Sequence, residues 1–221
     1  PGVPTVAFKT LGCRLNQAET AQMAAAFRQA GYEIVPYGGP CDVGVIHSCT
    51  VTANAERTSV RLCRSLKSGP GNPVAVIAGC AAEVGGKALA ERCRADLSVG
   101  QADKFRLPGL LAELVGGPSE PEYGSGGLTP LFDTTRAALR VQDGCDFGCA
   151  YCIVPRARGR SRSRTFEEII AEAEALSAGG YREVVLTGAN LGCYRDRQRG
   201  LVDLLAAVES VPGIARIRLS S

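Results

Sequence analysis

Cys145, Cys149 and Cys152 stand in the pattern C-x3-C-x2-C, between the apolar run 137–141 and Ile153-Val154-Pro155. A strand that ends in a short loop carrying three thiols can wrap one corner of an iron–sulfur cube. Thiolates are the usual ligands of such clusters, and a four-iron cluster has four corners. Three protein ligands leave one iron open. An open iron can hold a small molecule by its amine and carboxylate, so the cluster serves as a reagent and not only as an electron store. Zinc fits less well, because its sites are built from pairs of C-x2–4-C and His ligands. No second pair lies near this loop, and the only histidine, His47, is remote in sequence. A disulfide fits poorly too, since Cys149 and Cys152 are too close to staple much chain.

The elements that must position this loop follow from hydrophobic pattern and turn residues. Strands are expected at 5–9, 33–36, 42–47, 74–78 and 96–99, and helices from about 16 to 30, 53–68, 87–94 and 104–114. Asn16 followed by Glu19 has the spacing of a capping box, and Gly31 is a usual helix stop. Arg and Lys are expected on the outer face of the second helix. Continuous apolar strands alternating with helices argue for a parallel sheet covered on both faces. The element order predicts a flavodoxin-like, doubly wound α/β domain over residues 1–115. In such a sheet, ligands gather beyond the carboxyl ends of the strands.

Cys13, Cys49 and Cys80 each follow a predicted strand. They are far apart in the chain, yet parallel strands would bring all three to one edge. This is a second three-thiol constellation, independent of the first. Gly12 and Gly79 beside them would let backbone approach a bulky inorganic group. Cys41, Cys63, Cys93 and Cys193 have no partner spacing and read as ordinary buried thiols. His47 reads as a packed or backbone-bonded residue and not as a ligand.

Residues 116–130, rich in Gly, Pro and Ser, read as a linker. A second domain (131–221) follows, with strands 137–141, 183–186 and 214–219 and helices 165–178 and 201–209. This βαβαβ run, with right-handed crossovers, predicts the first half of a (β/α) barrel. Barrel sites lie at the carboxyl ends of strands, here the cysteine loop, the loop from Thr187-Gly188 to Asn190, and Ser220-Ser221. Arg156, Arg158, Arg160, Arg162 and Arg164 alternate after the cysteine loop. They could meet RNA phosphates with salt-dependent affinity, or form a solvated loop with one or two of them paired to acidic neighbours or cofactor.

The bulk numbers restrict the class. A hydrophobic share of 45% over 221 residues is ample for a core, and ten cysteines point to metal ligation in a reducing compartment. No apolar run approaches membrane-spanning length. The net charge of +3 would not by itself predict nucleic acid. Pro1 at the start and Ser221 inside an apparent strand are expected to mark a part of a longer protein.

Four stretches carry a family resemblance: Leu11-Gly-Cys-Arg-Leu-Asn16, His47-Ser-Cys-Thr-Val-Thr52, Ala78-Gly-Cys80, and the run from Val141-Gln-Asp-Gly-Cys145 through Cys152 to Arg156-Ala-Arg-Gly159. The chain resembles the radical S-adenosylmethionine (SAM) methylthiotransferases over essentially its whole length. Gln142-Asp-Gly-Cys145 and Thr52-Ala-Asn-Ala-Glu-Arg57 resemble most the branch acting on N6-threonylcarbamoyladenosine in tRNA. Sibling branches act on N6-isopentenyladenosine in tRNA or on an aspartate of a ribosomal protein.

The resemblance implies that Cys145, Cys149 and Cys152 hold a SAM-binding [4Fe-4S] cluster. It implies that Cys13, Cys49 and Cys80 hold an auxiliary [4Fe-4S] cluster carrying the sulfur to be transferred. SAM would be cleaved reductively to a 5′-deoxyadenosyl radical that takes hydrogen from C2 of the adenine. Sulfur from the auxiliary site would join that carbon, with a methyl group from a second SAM. It further implies SAM contacts from Tyr151, Thr187, Gly188, Ser220 and Ser221, a tRNA substrate met by Arg156, Arg158 and Arg160, an electron donor such as flavodoxin or ferredoxin, and a cytoplasmic setting. The rest of the barrel and a C-terminal RNA-binding domain would lie outside this chain, leaving it inactive alone. Three other readings compete, one of them a non-catalytic scaffold. An electron-transfer protein would want a fourth Cys near each triad, and none lies at ligand spacing from the 145–152 loop. A cobalamin-dependent radical SAM enzyme would want an Asp-x-His-x-x-Gly loop, which His47 does not supply. Anaerobic reconstitution should load about eight irons per chain, two cubes of four. Iron and sulfide assays check this, and about four would remove one of the two triads.

Overall fold

The structure, a computed structural model, describes residues 2–69, 71–115 and 136–221. The expected linker at 116–130 and the start of the second unit near residue 131 lie outside the described residues.

The first unit carries a five-stranded parallel sheet in the order β2-β1-β3-β4-β5. Its strands are β1 (Thr5–Thr10), β2 (Glu33–Val35), β3 (Val43–Ser48), β4 (Val74–Gly79) and β5 (Leu97–Val99). The apolar strands are continuous because both faces are covered. Val6, Val43, Val45 and Val76 point to one side, where Met23 and Phe27 of α1 (Arg14–Gln29) join Leu107 and Leu111 of α4 (Leu107–Val115). Ile46, Ala75 and Ile77 point to the other. There they meet Val60 and Cys63 of α2 (Ala53–Lys67), and Ala81 and Leu89 of α3 (Cys80–Cys93). This is the expected flavodoxin-like strand order. Its direction of winding reverses between β1 and β3, which makes the carboxyl ends of those two strands the topological switch point.

Two helix starts differ from expectation. α1 begins at Arg14 with Cys13 as its N-cap, and Asn16 is not a cap but a buried residue of the first turn. Its Nδ2 donates to Leu11 O at 2.9 Å and Ser48 O at 3.0 Å, tying the loops after β1 and β3 together. α3 begins at Cys80, before the expected start at residue 87, and bends at Gly86, whose φ of 48° is non-helical. The Gly85-Gly86 pair hid this first turn, since two glycines in a row disfavour helix.

The second unit has a three-stranded parallel sheet in the order β12-β9-β6. β6 (Arg136–Arg140), β9 (Glu183–Thr187) and β12 (Arg216–Ser220) are joined through α6 (Phe166–Ala178) and α7 (Leu201–Glu209). Leu139, Ile169, Ala173, Val184, Leu186, Leu204 and Val208 form its core. Thr165 and Glu168 form a complete capping box on α6. Five small elements were not foreseen. β7 (Gln142–Asp143) and β8 (Arg162–Ser163) pair antiparallel and clasp the cysteine loop at its base. α5 (Val154–Arg158) is a single turn following Cys152. β10 (Arg195–Asp196) and β11 (Arg199–Gly200) form a small hairpin. Each is too short for periodicity to reveal.

Candidate functional site

Cys13 lies just past β1, Cys49 just past β3, and Cys80 opens α3 directly after β4. The parallel register therefore carries all three to the carboxyl edge of the sheet, two of them flanking the switch point. Cys13 is exposed, whereas Cys49 and Cys80 are buried. Two glycines make this crowding possible. Gly12 sits at φ +101°, and a Cβ there would lie 2.7 Å from Cys49 Cβ and 2.8 Å from its Sγ. Gly79 sits at φ +93°, and a Cβ there would lie 2.6 Å from the His47 ring. Burial pushes the Cys80 thiol up to about 11, with Arg158 opposing the shift.

The second triad sits on the loop between β7 and α5. Cys145 N donates to Gly159 O at 3.1 Å and Cys152 N to Cys149 O at 3.0 Å. Gly144 (φ +69°) is forced here, because a Cβ would stand 2.0 Å from Arg160 O. Buried Gln142 fixes the loop to the next strand end. Its Nε2 donates to Gly144 O (2.7 Å) and Ser161 Oγ (2.9 Å), and its Oε1 accepts from Asn190 N (2.8 Å). Asn190 Nδ2 in turn approaches Cys145 Sγ at 3.8 Å.

A cavity of about 170 Å³ opens between the two units. One wall carries Cys13, Cys49 and Cys80; the opposite wall carries Thr187, Gly188, Ser220 and Ser221, with Ile153, Val154 and Ala157 of the α5 segment between them. Four of the five residues expected to contact SAM thus face the N-terminal triad. Tyr151 does not join them; it is 92% exposed at the tip of its loop, and Cys145, Cys149 and Cys152 also stand outside this lining. Among the described residues, no three His, Cys, Asp or Glu side chains close on a point that would hold a single metal ion. A cube asks for something different, since each thiolate binds its own iron and the sulfurs stay apart. Three thiols on one wall, backed by glycines where Cβ atoms would intrude, are a donor set that fits such a cluster.

Arg158 corrects the reading of the arginine run. It is 4% exposed and points inward. Its Nη1 donates to Glu19 Oε1 and to Asp143 Oδ1, each at 2.8 Å, and its Nη2 donates to Asn16 Oδ1 at 2.6 Å and Glu19 Oε2 at 3.1 Å. Buried and bonded through both Nη atoms, it is not presented to RNA phosphate. The reason is local: α5 is helical, so residues two apart point to nearly opposite sides. Arg156 faces solvent, as does Arg160, whose Nε lies 3.3 Å from Asp146 Oδ1. Arg164 pairs with Glu172.

Glu19, taken from the sequence as a cap residue, is the hub of this buried network. It is fully buried, 2.6 Å from Lys104 Nζ and 2.8 Å from Arg158 Nη1. Burial opposes its charge, yet Lys104 and Arg158 prevail and hold the carboxyl far below the usual carboxylate range. His47 lies alongside, its Nδ1 2.8 Å from Thr20 Oγ1 and 3.1 Å from Asn16 O. Burial lowers its pKa to about 3, against the pull of Glu19, so the ring is neutral. A signal for the hub was present in the sequence. Leu15, Glu19, Met23 and Phe27 recur every four residues along α1, which puts an acid on the apolar stripe.

Comparison with known proteins places this geometry. Residues 5–100 match the family described as "Uncharacterized protein family UPF0004", and residues 139–221 match the Radical SAM superfamily. The second unit is therefore a radical SAM domain. Among curated relatives, the chain is 37% identical over 227 residues to the threonylcarbamoyladenosine tRNA methylthiotransferase MtaB of Aquifex aeolicus, covering 98% of this chain and 55% of that protein. It is 39% identical to the MtaB of Chlamydia pneumoniae over 96% of this chain and 49% of that protein. Matches at 32% and 36% are to a tRNA-2-methylthio-N(6)-dimethylallyladenosine synthase of Solibacter usitatus and to the ribosomal protein uS12 methylthiotransferase RimO of Synechococcus elongatus. Among solved structures, the cobalamin-dependent SAM radical enzyme OxsB shares the fold, with a TM-score of 0.62 at 13% identity over 97% of this chain and 38% of that one. The chain thus joins a UPF0004 match to a radical SAM domain, its MtaB relatives are methylthiotransferases, and it spans about half the length of the curated relatives it matches.

Removing the hub carboxylate would strand two buried cations. Glu19→Ala is expected to cost about 3–5 kcal/mol, measured as a lower urea midpoint at unchanged slope. A loss under about 1 kcal/mol would mean that the network is not closed in solution.

Proposed function

We propose that this chain is the cluster-bearing part of a tRNA methylthiotransferase that places a methylthio group at C2 of N6-threonylcarbamoyladenosine beside the anticodon. The observation that carries this reading is the shared cavity: the thiols after β1, β3 and β4 face the strand ends of a radical SAM domain across one small space. Sulfur transfer to an unactivated carbon needs a sulfur source and a radical source within reach of one atom, and proximity of this kind is what a site must supply. The MtaB relatives support the choice of adenosine.

In this reading two [4Fe-4S] clusters and SAM, when bound, supply the one-electron chemistry and the sulfur. The chain's own residues hold and position them. Cys145, Cys149 and Cys152 would ligate the SAM cluster, and Cys13, Cys49 and Cys80 the auxiliary one. Thr187, Gly188, Ser220 and Ser221 bring backbone and hydroxyl groups to the wall where SAM would lie. Ser221 Oγ already accepts from Leu191 N at 3.2 Å, which holds that strand end in place. Ile153, Val154 and Ala157 line the same space with apolar surface, which keeps water from a reactive radical. Tyr151, on the loop tip, would reach the adenine of SAM only from outside the cavity lining. Arg156, Arg160 and Arg162 remain the exposed arginines of this run, open to RNA phosphate. The electron would come from a small donor such as flavodoxin or ferredoxin. Among the described residues no helix is long and apolar enough to cross a membrane, and a cytoplasmic site of action fits the tRNA substrate.

Cys149→Ala and Cys49→Ala separate the two halves of the reaction in protein of the relatives' full length. Cys149→Ala should abolish SAM cleavage. Cys49→Ala should cleave SAM at near the parent rate yet give no thiolated nucleoside by mass spectrometry of digested tRNA. Normal product from Cys49→Ala would defeat the assignment. Product on N6-isopentenyladenosine or on ribosomal protein alone would move the enzyme to a sibling branch.

A further inference from the structure

We propose that Gln101 is a positioning residue for the auxiliary cluster, aiming a fixed amide donor at the Cys80 sulfur and so raising that cluster's reduction potential. This rests on the reading of Cys13, Cys49 and Cys80 as an iron–sulfur triad. Gln101 Nε2 lies 3.2 Å from Cys80 Sγ in a buried setting. Its amide cannot turn over. Oε1 accepts from the buried ammonium of Lys104, and an ammonium has donors but no acceptor. Oxygen must therefore face Lys104, and the N–H must face sulfur. The backbone is pinned as well: Gln101 N donates to Glu83 Oε2 at 2.7 Å. A Cβ on Gly100 would stand 2.0 Å from that same oxygen, so a larger residue there would displace the Glu83 carboxylate from its present position.

Lys104 is in turn held by Glu19 at 2.6 Å, and Glu19 by Arg158 at 2.8 Å. A continuous chain of charged and amide groups thus runs from the radical SAM unit to a sulfur of the N-terminal triad. The other thiols are placed differently. Cys13 Sγ meets an acceptor, Asn16 Oδ1, at 3.5 Å. Among the described residues Cys80 is the member of its triad with a side-chain N–H donor. Hydrogen bonds to cluster sulfurs are a principal control of cluster potential. A donor stabilises the more negative, reduced cluster, so its loss lowers the potential.

The test uses the 221-residue chain with Cys145, Cys149 and Cys152 changed to Ala, so that one cluster alone can form. Iron and sulfide are measured after anaerobic reconstitution, followed by a redox titration monitored by electron paramagnetic resonance. The parent should hold about four irons. Gln101→Leu should titrate at a lower potential, and Gln101→Glu, which keeps the shape and the Lys104 contact but loses the donor, lower again. Unchanged potentials in both variants overturn the role of Gln101 and leave the cluster assignment standing. A parent that binds no iron overturns the cluster assignment itself, and the inference with it. Should Gln101→Leu hold no cluster, Gln101→Glu decides. Loss of iron from both with the circular dichroism of the parent supports a positioning role, whereas loss of fold in both makes Gln101 a structural residue and overturns it.

Discussion

One buried carboxylate, Glu19, is the ionic centre through which the two halves of this molecule meet, with Gln22 bonded to Arg140 and Glu172 beside it. It comes from α1 of the first unit, and its partners come from both: Lys104 after β5, and Arg158 from α5 of the radical SAM unit. Asp143 and Asn16 complete the shell around Arg158. The buried charges balance, Glu19 and Asp143 against Lys104 and Arg158, with His47 neutral beside them. Desolvating four charges is expensive, and such networks often add little net stability over apolar packing. Their effect is on geometry. A small slide of one unit on the other would strand a charge in a dry interior, so a single docking arrangement is strongly preferred.

That arrangement explains why the cavity lies where it does. Both units are parallel sheets, and both direct the carboxyl ends of their strands to the same space. In the first, the switch point between β1 and β3 opens a crevice where Cys13 and Cys49 stand. In the second, the ends of β9 and β12 supply Thr187-Gly188 and Ser220-Ser221. The short helix α5 joins the two roles. Val154, Ala157 and Arg158, three and four residues apart, share the face that lines the cavity, and from there the Arg158 guanidinium also reaches the charged hub. The cysteine loop that precedes α5 is thereby tied to the docking interface.

The cobalamin-dependent SAM radical enzyme OxsB shares this fold at 13% sequence identity. The likeness extends to architecture alone. In this chain the positions at the strand ends carry three cysteines, Cys13, Cys49 and Cys80. Function on such a frame lies in the side chains at the sheet edge and not in the sheet itself.

Much of this was readable without coordinates, for a physical reason: the relevant signals are local. Buried parallel strands write themselves as apolar runs, C-x3-C-x2-C is one loop, and the alternation of strand and helix leaves a doubly wound sheet and a half barrel as the natural solution. Even the gathering of Cys13, Cys49 and Cys80 on one edge follows from parallel strands ending in the same direction. What tertiary structure alone decided is which polar residues face inward. Glu19 shows itself only as an acid on the apolar stripe of α1, while Asn16, Lys104 and Arg158 look like surface residues in a linear reading, because polar and charged groups are normally solvated. Each becomes a core group only through partners up to 142 residues away, as Arg158 and Asn16 are. No local pattern encodes a contact between two separately folded sheets, so the docking of the units, and with it the cavity, had to be seen in three dimensions.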